Sequence, residues 1–414
     1  MVLREMKDSG IEWIGKIPKH WETIKCKYLM DIYSGEIISK LDLTDKKLFP
    51  VFGGGKQIGY YNKYNVIEGT IVVGRVGALC GCVTFTESKA WATDNALIVN
   101  CKKGNNKFWA YNLYSAELNK LNNSNAQPLI TANKILNLSI TMPSEIIQNK
   151  IADFLDKKCN EIDKLKIDIE KQIAILDDYK KSLITETVTK GLNPDVEMKD
   201  SGIEWIGEIP KQWQVKRIKY IATLSGRIGW QGLTSSEYCD EGAYLITGVN
   251  FSNGDIDWDS CVHISEERWE EAEQIQIKND DLLITKDGTV GKIAIVRNMP
   301  GKTSLNSGVL LIRIEKSCDK KFLYWILKSN IFWKWFYTIN SGNSTIIHLY
   351  QNDFYNFSFP LMDINEQKEI ADFLDDKCTK IHEIIELKQK QIAKIDEYKK
   401  SLIYEYVTGK KEVH

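Results

Sequence analysis

Apolar residues recur every seven positions across residues 144–188, a stretch with no proline and no glycine. The residues of this repeat are Leu155, Ile162, Ile169, Leu176 and Leu183, and the apolar residues beside it are Leu165, Ile173 and Tyr179. Lys, Asp and Glu fill the remaining positions. This pattern predicts an amphipathic helix with a narrow apolar seam, as in a coiled coil. At 1.5 Å per residue the helix would be a rod of roughly 60 Å.

Two sequence segments of this predicted helix recur further along the chain. IADFLDKKC at 151–159 becomes IADFLDDKC at 370–378, and YKKSLI at 179–184 is repeated unchanged at 398–403, both 219 residues later. A signature, MKDSGIEWIGKIPKHW at 6–21, recurs 192 residues later with two of sixteen positions changed. The chain is therefore two tandem units, each made of a signature, a variable domain and a long helix. Because the period is the size of a domain, a pseudo-dimer is expected rather than a solenoid.

We therefore predict six segments. They are an N-terminal signature segment (1–21), a first variable domain (22–143), a first long helix (144–190), a linker with the second signature (191–213), a second variable domain (214–361), and a second long helix with a C-terminal tail (362–414). Gly191 and Pro194 favour the end of the first helix. The helix text repeats after 219 residues and the signature after 192, so the segment between them is 27 residues longer in the second unit.

Both variable domains mix short strand patterns with helical ones, so the predicted fold class is α+β. The strands expected in the first domain cover 71–73, 82–85, 96–99 and 130–142, and a helix is expected over 107–121. The corresponding runs in the second domain are 281–285, 293–296, 309–314 and the helical 322–337. The signature shows neither the helical nor the strand period of apolar residues. It predicts an ordered loop anchored by Trp13 and Trp21.

The two variable domains diverge strongly although the segments around them are nearly identical. Neutral drift after duplication is one explanation, but drift alone would not spare the signatures and helices. We interpret the domains as two recognition modules of one fold that read two different targets.

Composition is that of an ordinary globular protein, with 43% hydrophobic and 27% charged residues and a formal net charge of −1. No apolar run approaches the ~18 residues of a membrane span, and residues 1–10 lack the apolar region of a signal peptide. The nine cysteines are odd in number and form no CxxC pair. These features predict reduced thiols, no structural zinc and a cytoplasmic protein.

Three local features resemble parts of catalytic sites, but none has the arrangement that catalysis requires. The run Gly53-Gly54-Gly55-Lys56 lacks phosphate-loop spacing and predicts a tight turn. The acidic residues near Pro194 lie in one linker, whereas a nuclease metal site needs carboxylates that converge from rigid strands. The five scattered histidines give no Ser/His/Asp arrangement. We therefore expect no catalytic residues, no metal and no cofactor in this chain.

Basic residues interleaved with amides, hydroxyls and aromatics suggest duplex DNA as a partner. Residues 22–142 carry a net charge of +5. Lys and Arg suit phosphates, and Arg, Asn and Gln suit base edges. The candidate DNA-binding residues are Lys56, Gln57, Arg75 and Asn95 in the first domain, and Arg227, Gln231, Lys286, Asn306, Asn343, Ser344 and His348 in the second.

An acidic stretch at 255–273 changes the charge of the second domain. Residues 214–361 carry a net charge of −1, but the same domain without this stretch carries +6. We predict that the stretch contains much of the 27-residue excess and faces away from any polyanion.

The whole architecture resembles the specificity (S) subunit of type I restriction–modification systems. The resemblance rests on GIEWIGKIPKHW and GIEWIGEIPKQW, on the repeated IADFLD, and on Glu366-Gln367 at the start of the second helix, where the first copy has Ile147-Gln148. It covers nearly all 414 residues. It implies two target recognition domains separated by two long helices that pack as an antiparallel coiled coil.

The resemblance also implies a function. Each recognition domain would bind one half of a bipartite, asymmetric double-stranded DNA target, and the helices would set the gap between the halves. Two methyltransferase (M) subunits would bind the chain, and motor-nuclease (R) subunits would join through the complex. Adenine methylation and ATP-driven cleavage would belong to those partners, so S-adenosylmethionine, ATP and Mg²⁺ would not bind here.

Two other functions stay open on the sequence alone. One is a scaffold that bridges two copies of a partner without reading DNA. The other is a nuclease or methyltransferase in its own right, against which the lack of catalytic motifs argues.

Overall fold

The computed structural model describes residues 5–46, 48–121, 128–227, 229, 232–341 and 347–413. The chain forms two compact units, the first made of Met1–Glu170 with Lys388–His414 and the second of Lys171–Leu387. Each unit combines one variable domain with part of each long helix. The six segment boundaries read from the sequence remain a prediction, since these units divide both helices.

The first unit is α+β. Its strands are β1 (Met6–Asp8), β2 (Lys16–Pro18), β3 (Glu22–Lys25), β4 (Met30–Ser34), β5 (Phe49–Gly53), β6 (Lys56–Tyr61), β7 (Ile71–Gly74), β8 (Val83–Phe85), β9 (Trp91–Ala92), β10 (Ala96–Cys101) and β11 (Ser139–Met142). Its helices are α1 (Asn106–Ser115), α2 (Ala132–Leu136) and the start of α3 (Glu145–Lys190).

The second unit repeats this plan with additions. Its strands are β12 (Met198–Asp200), β13 (Glu208–Pro210), β14 (Gln214–Arg217), β15 (Ala222–Gly226), β16 (Ala243–Ile246), β17 (Phe251–Ser252), β18 (Asp255–Ile256), β19 (Val262–Ile264), β20 (Leu282–Thr285), β21 (Ile293–Ile295), β22 (Thr303–Leu305), β23 (Val309–Ile314) and β24 (Ser358–Leu361). Its helices are α4 (Glu266–Glu270), α5 (Lys320–Lys328), α6 (Asn330–Ile339), α7 (Gln351–Phe354) and the start of α8 (Ile364–Val407).

The sheets of the two units have the same topology. A four-stranded antiparallel sheet runs β4-β10-β7-β8 in the first unit and β15-β23-β20-β21 in the second. A three-stranded sheet runs β6-β5-β9 and β19-β16-β22, with the last pair parallel in both. The additions of the second unit include the hairpin β17-β18, inserted between β16 and β19.

Alternating side chains on the central strands bury both faces of the four-stranded sheet. In β10, Leu97 and Val99 pack with Phe108 and Trp109 from α1, whereas Ala96 and Ile98 belong to a separate cluster on the other face. The strand period of two explains this division. Strands β20 and β23 divide their side chains between two clusters in the same way.

The two long helices pack antiparallel within each unit. In the first unit, Leu155 and Cys159 of α3 share a core cluster with Leu402 and Ile403 of α8. At the edge of this contact, Lys399 Nζ lies 2.6 and 2.7 Å from the two carboxylate oxygens of Asp163. In the second unit, Ile184 and Val188 of α3 share a cluster with Ile370 and Leu374 of α8. The pairing confirms the antiparallel coiled coil implied by the resemblance.

Burial along α3 corrects the predicted seam at its margins. Leu155 and Ile169 are buried, and Ile162, Ile173, Leu176 and Leu183 are half-buried. Leu165 and Tyr179 are instead 52% and 55% exposed. A two-helix contact covers only a narrow stripe, so apolar residues beside it stay in solvent. The helix ends at Lys190, and Gly191 follows with φ +78°, as its position predicted.

Two other expectations were wrong in detail. The signature is a pair of short antiparallel strands, β1-β2 and β12-β13, rather than a loop. The strand expected over 130–142 is the helix α2 followed by the short strand β11. Trp21 and Trp213 nevertheless are buried in the cores, as an anchoring role requires.

Candidate nucleic-acid interface

Four loops of the first unit meet where β4, β5 and β7 end, and we call this surface the first edge (residues 34–36, 53–57, 75–79 and 93–95). The Asn95 carbonyl accepts hydrogen bonds from Gly54 N at 3.2 Å and from Arg75 N at 3.0 Å. Thr93 N donates to Phe52 O at 2.9 Å. The backbone of one loop therefore holds two others in place.

Gly35 lets two of these loops touch. A Cβ atom at this position would lie 2.2 Å from the Ala92 carbonyl oxygen and 2.4 Å from that of Thr93. These oxygens are backbone atoms that cannot rotate away, so only glycine fits here. The turn predicted at Gly53–Lys56 is also present, between β5 and β6, and Gly55 adopts φ +102°.

The first edge presents hydrogen-bond donors to solvent. Lys56, Gln57 and Asn95 are exposed, and Arg75 is half-buried. Arg75 Nη1 donates to Ser34 Oγ at 3.1 Å, which holds the guanidinium over the ends of β4 and β7. The structure thus brings the four candidates of the first domain to one surface. Whether they bind DNA stays a prediction.

The second unit builds the corresponding surface, the second edge (residues 225–227, 246–250, 286–289, 305–308 and 347–350). Leu349 N donates to Lys286 O at 3.0 Å, just as Ile130 N donates to Arg75 O at 2.9 Å in the first unit. Lys286 N donates to Gly308 O and Asn306 N to Ile246 O, both at 2.8 Å. The backbone frame is repeated although the side chains differ.

The side chains of the second edge interact more with one another. His348 Nδ1 lies 2.6 Å from Asp287 Oδ1, and both side chains are partly exposed. Asn306 Oδ1 accepts from Gly308 N at 3.0 Å, which leaves its amide nitrogen near Tyr238. Lys286 is half-buried. This edge therefore joins a cation, an amide and a carboxylate–imidazole pair.

The side chain of Arg227 is buried beneath the surface of the second edge. It is 6% exposed, its Nε donates to Leu305 O at 2.8 Å, and its Nη2 donates to Ser304 Oγ at 3.0 Å. Burial lowers the pKa of Arg227 to about 10, and the neighbouring Arg268 contributes to the shift. In this position the guanidinium supports the end of β22. Gln231, Asn343 and Ser344 lie outside the residues that the structure describes.

Charged residues of the acidic stretch form ion pairs with other side chains of the same unit. Arg268 pairs with Glu271 and also with Glu237, at 3.0 Å. Lys302 pairs with Glu266 at 2.7 Å. These contacts reduce the local negative charge. That the stretch faces away from a polyanion stays a prediction.

Each repeat also exposes a lysine–tyrosine pair that was not among the residues predicted from the sequence. Lys27 lies over the ring of Tyr28 at 5.1 Å, and Lys219 over that of Tyr220 at 5.0 Å. The two tyrosines are 61% and 62% exposed. The pairs precede β4 and β15, so they lie at the sheet ends opposite the two edges. Their common spacing of 192 residues was the available signal.

The described part of the chain holds no group of three or more His, Cys, Asp or Glu side chains able to bind a metal ion. No helix in that part is both long enough and apolar enough to cross a membrane. The cysteines are free thiols, and burial raises the pKa of Cys26 and Cys318 to about 12.

A duplicated frame that carries two unlike polar edges defines a recognition protein with two binding domains. The chain belongs to the family described as the type I restriction modification DNA specificity domain, whose sequence model matches residues 18–175 and 210–397. It is accordingly a DNA sequence-specificity subunit of the type I class, a recognition subunit rather than an enzyme.

Individual relatives agree with this assignment. The type I restriction enzyme MjaVIII specificity subunit of Methanocaldococcus jannaschii is 26% identical over 349 residues, which cover 83% of this chain and 76% of the relative. The Escherichia coli EcoBI specificity subunit is 22% identical over 400 residues, which cover 89% and 81%. A chain solved in work on complex assembly and conformational transition of the type I R-M system superposes with a TM-score of 0.70 at 14% identity, covering 94% of this chain and 98% of that one. That last likeness concerns the fold.

Proposed function

We propose that the first edge and the second edge each read one half of a split, asymmetric DNA target. One observation carries the proposal. Equivalent backbone hydrogen bonds build both edges, but the side chains at matching positions differ: Arg75, Thr93 and Asn95 in the first correspond to Lys286, Asn306 and Gly308 in the second. The repeat therefore keeps the backbone geometry with which each edge would approach DNA and changes the side chains that would contact the bases.

The side chains of the edges suit distinct tasks on DNA. Arg75 and Asn95 have the donor and acceptor patterns that recognise guanine and adenine in the major groove. Lys56 and Lys286 suit phosphates, where they add affinity and salt dependence. Gln57, Asn306 and His348 are further candidates, as are Gln231, Asn343 and Ser344. We assign Arg227 a positioning role, because its guanidinium already binds the β22 backbone.

We also propose that α3 and α8 set the gap between the half-sites and help to bind two methyltransferase subunits. Features that are exposed in both repeats suit a partner that binds twice. These are the Lys27–Tyr28 and Lys219–Tyr220 pairs and, in the repeated YKKSLI segments, Tyr179 and Tyr398, which are 55% and 57% exposed. Motor-nuclease subunits would join through this complex. With DNA as the target, the expected location is the cytoplasm.

A domain exchange tests the proposal. The chain is co-expressed with its methyltransferase, and methylated adenines are mapped across the host genome. Replacement of residues 22–143 by the corresponding domain of another family member should change one half of the methylated motif and leave the other half and the gap intact.

The outcome separates DNA reading from a scaffold role. A motif that changes in both halves, or in neither, would contradict the assignment of one half to each edge. Methylation that needs the chain but follows no sequence would favour a scaffold that only bridges two partners.

A further inference from the structure

A cavity of about 350 Å³ lies in the second unit, where α5 and β21 approach segments of α3 and α8. It opens to solvent, and five of its side chains can carry positive charge: Lys180, Arg297, Lys321, Lys328 and His382. Asp375 is its one acidic lining residue among those described.

The first unit contains a cavity at the equivalent place. The helix positions correspond through the 219-residue spacing, and α1 corresponds to α5. Tyr111 Oη donates to Asp156 Oδ1 at 2.8 Å, and the equivalent Trp325 Nε1 donates to Asp375 Oδ1 at 2.9 Å. Lys107 and the equivalent Lys321 pair with these same carboxylates. The framework of the two cavities is therefore common to both units.

Three substitutions reverse the charge between the two cavities. Asp163, Tyr114 and Glu87 line the cavity of the first unit, and their equivalents in the second are His382, Lys328 and Arg297. In the first unit Asp163 binds Lys399. In the second unit the equivalent lysine, Lys180, has His382 in place of that carboxylate.

Two of the five groups have no carboxylate partner among the residues that the structure describes. Lys321 pairs with Asp375 at 2.8 Å, and Arg297 with Asp255 at 3.4 Å. His382 Nε2 lies 3.3 Å from Glu386 Oε1. Among the described residues, neither Lys180 nor Lys328 has an acidic side chain within ion-pair distance. Lys328 Nζ instead lies 4.8 Å from the centre of the Tyr324 ring. Burial lowers the pKa of Lys328, since desolvation disfavours its charged form.

The remaining groups of the cavity do not supply negative charge. Burial raises the pKa of Cys378 to about 11 and that of Tyr324 to about 12, so both stay neutral at physiological pH. Gly254 closes one side, because a Cβ there would lie 2.3 Å from Tyr324 Oη. A partly buried excess of cations is stabilised by an anion that enters the cavity.

We propose that this cavity binds a phosphoryl group of a small anion such as inorganic phosphate or pyrophosphate. The cations come from α3, α5, α8 and the segment after β21, and a tetrahedral anion with several oxygens matches donors that converge from different directions. The equivalent cavity of the first unit, whose lysines are paired with aspartates, does not bind the anion. The inference does not depend on DNA reading by either edge.

Calorimetric titration of the full-length chain with pyrophosphate, at constant ionic strength in chloride, tests the proposal. The expected result is one saturable site per chain. Lys328→Tyr and His382→Asp each install the residue that the first unit carries, so both substitutions suit the shared framework. Each should weaken the affinity roughly tenfold or more. Lys334→Tyr, on the exposed face of α6, removes a lysine outside the cavity and should leave the affinity unchanged.

Three results would overturn the inference. They are no saturable binding beyond the chloride control, a stoichiometry of two per chain, or equal weakening by Lys334→Tyr. A competition arm identifies the source of the phosphoryl group. Duplex DNA should not displace pyrophosphate from the wild-type chain. If duplex DNA displaces pyrophosphate from the wild-type chain but not from His382→Asp, the small-anion assignment is overturned in favour of a DNA backbone phosphate.

Discussion

The indole Nε1 of Trp213 donates to both carboxylate oxygens of Glu366, each at 3.1 Å. This contact joins the second signature to the first turn of α8, across 153 residues of sequence. The first repeat has a tryptophan at the equivalent position, Trp21, but its helix carries Ile147 where Glu366 lies. The contact is therefore specific to the second unit.

Trp213→Phe should destabilise the second unit. The variant loses the hydrogen bond to a carboxylate and part of a fully buried side chain, and the expected cost is about 2–4 kcal/mol in the free energy of unfolding. Urea denaturation followed by far-UV circular dichroism measures it. Trp21→Phe is the matched control, since it changes packing where the helix offers no glutamate. Equal losses in the two variants would mean that packing alone accounts for the effect.

Glu366 should make stability depend on pH. Burial raises its pKa, and the hydrogen bond from Trp213 opposes the shift without cancelling it. The native state therefore holds this proton more tightly than the unfolded state does, and its contribution to stability falls as pH rises above the ordinary pKa of 4.5. Glu366→Gln should be more stable than the wild type at pH 7, with the advantage shrinking towards pH 4. An advantage that is constant with pH would contradict this assignment.

Arg227→Met should reduce stability without changing the DNA motif. The substitution removes the donors that bind Ser304 and Leu305 and leaves those acceptors buried, at a cost of about 1–3 kcal/mol. Denaturation and adenine mapping on the same variant give both readouts. Lys286→Met is the comparison, because that side chain is half-buried on the second edge. A new methylated motif in Arg227→Met at unchanged stability would instead place Arg227 in direct readout.

Lys56→Ala should weaken DNA binding similarly on all sequences. If Lys56 binds one phosphate, the slope of log affinity against log salt concentration should become shallower by about 1. Fluorescence anisotropy with a labelled duplex, measured at several salt concentrations, checks this. Lys164→Ala, at an exposed position on α3, serves as the control. An unchanged slope for Lys56→Ala would remove it from the interface.

Shortening both long helices should shorten the gap in the DNA target. Deletion of residues 164–170 with 388–394 removes one heptad from each helix and keeps the seam in phase. Seven residues span about 10 Å of helix, or about three base pairs of duplex. Adenine mapping reads the gap directly. Deletion from α3 alone should abolish methylation, and an unchanged gap in the paired deletion would refute the spacing role.

The parts of the fold set by local pattern could be predicted from the sequence. The central strands near Ile71, Ala96, Leu282 and Val309 are runs of apolar residues between turns, and they appear where expected. The antiparallel helix pair also appears, although it came from the family resemblance. Repetition was the strongest signal, because each half of the chain indicates how to interpret the other.

Features set by distant contacts could not be predicted in this way. The strands of the signature are three residues long, too short to show a period. The helix α2 covers five residues within an apolar stretch that resembles a strand. The burial of Arg227 depends on β22, which lies more than 70 residues later. An arginine beside glycines in a loop gives no sign of such a partner.

The closure of the first unit bears on the order in which the chain folds during synthesis. Lys410 Nζ donates to Ile14 O at 2.6 Å, Tyr404 Oη donates to the same oxygen at 3.1 Å, and Thr141 Oγ1 donates to Val407 O at 2.5 Å. The ribosome delivers the segment 388–413 after the whole of the second unit, which is continuous in sequence. The first unit is therefore completed last, although most of it is synthesised first. If translation stops before residue 388, the first unit lacks the segment of α8 that packs against it.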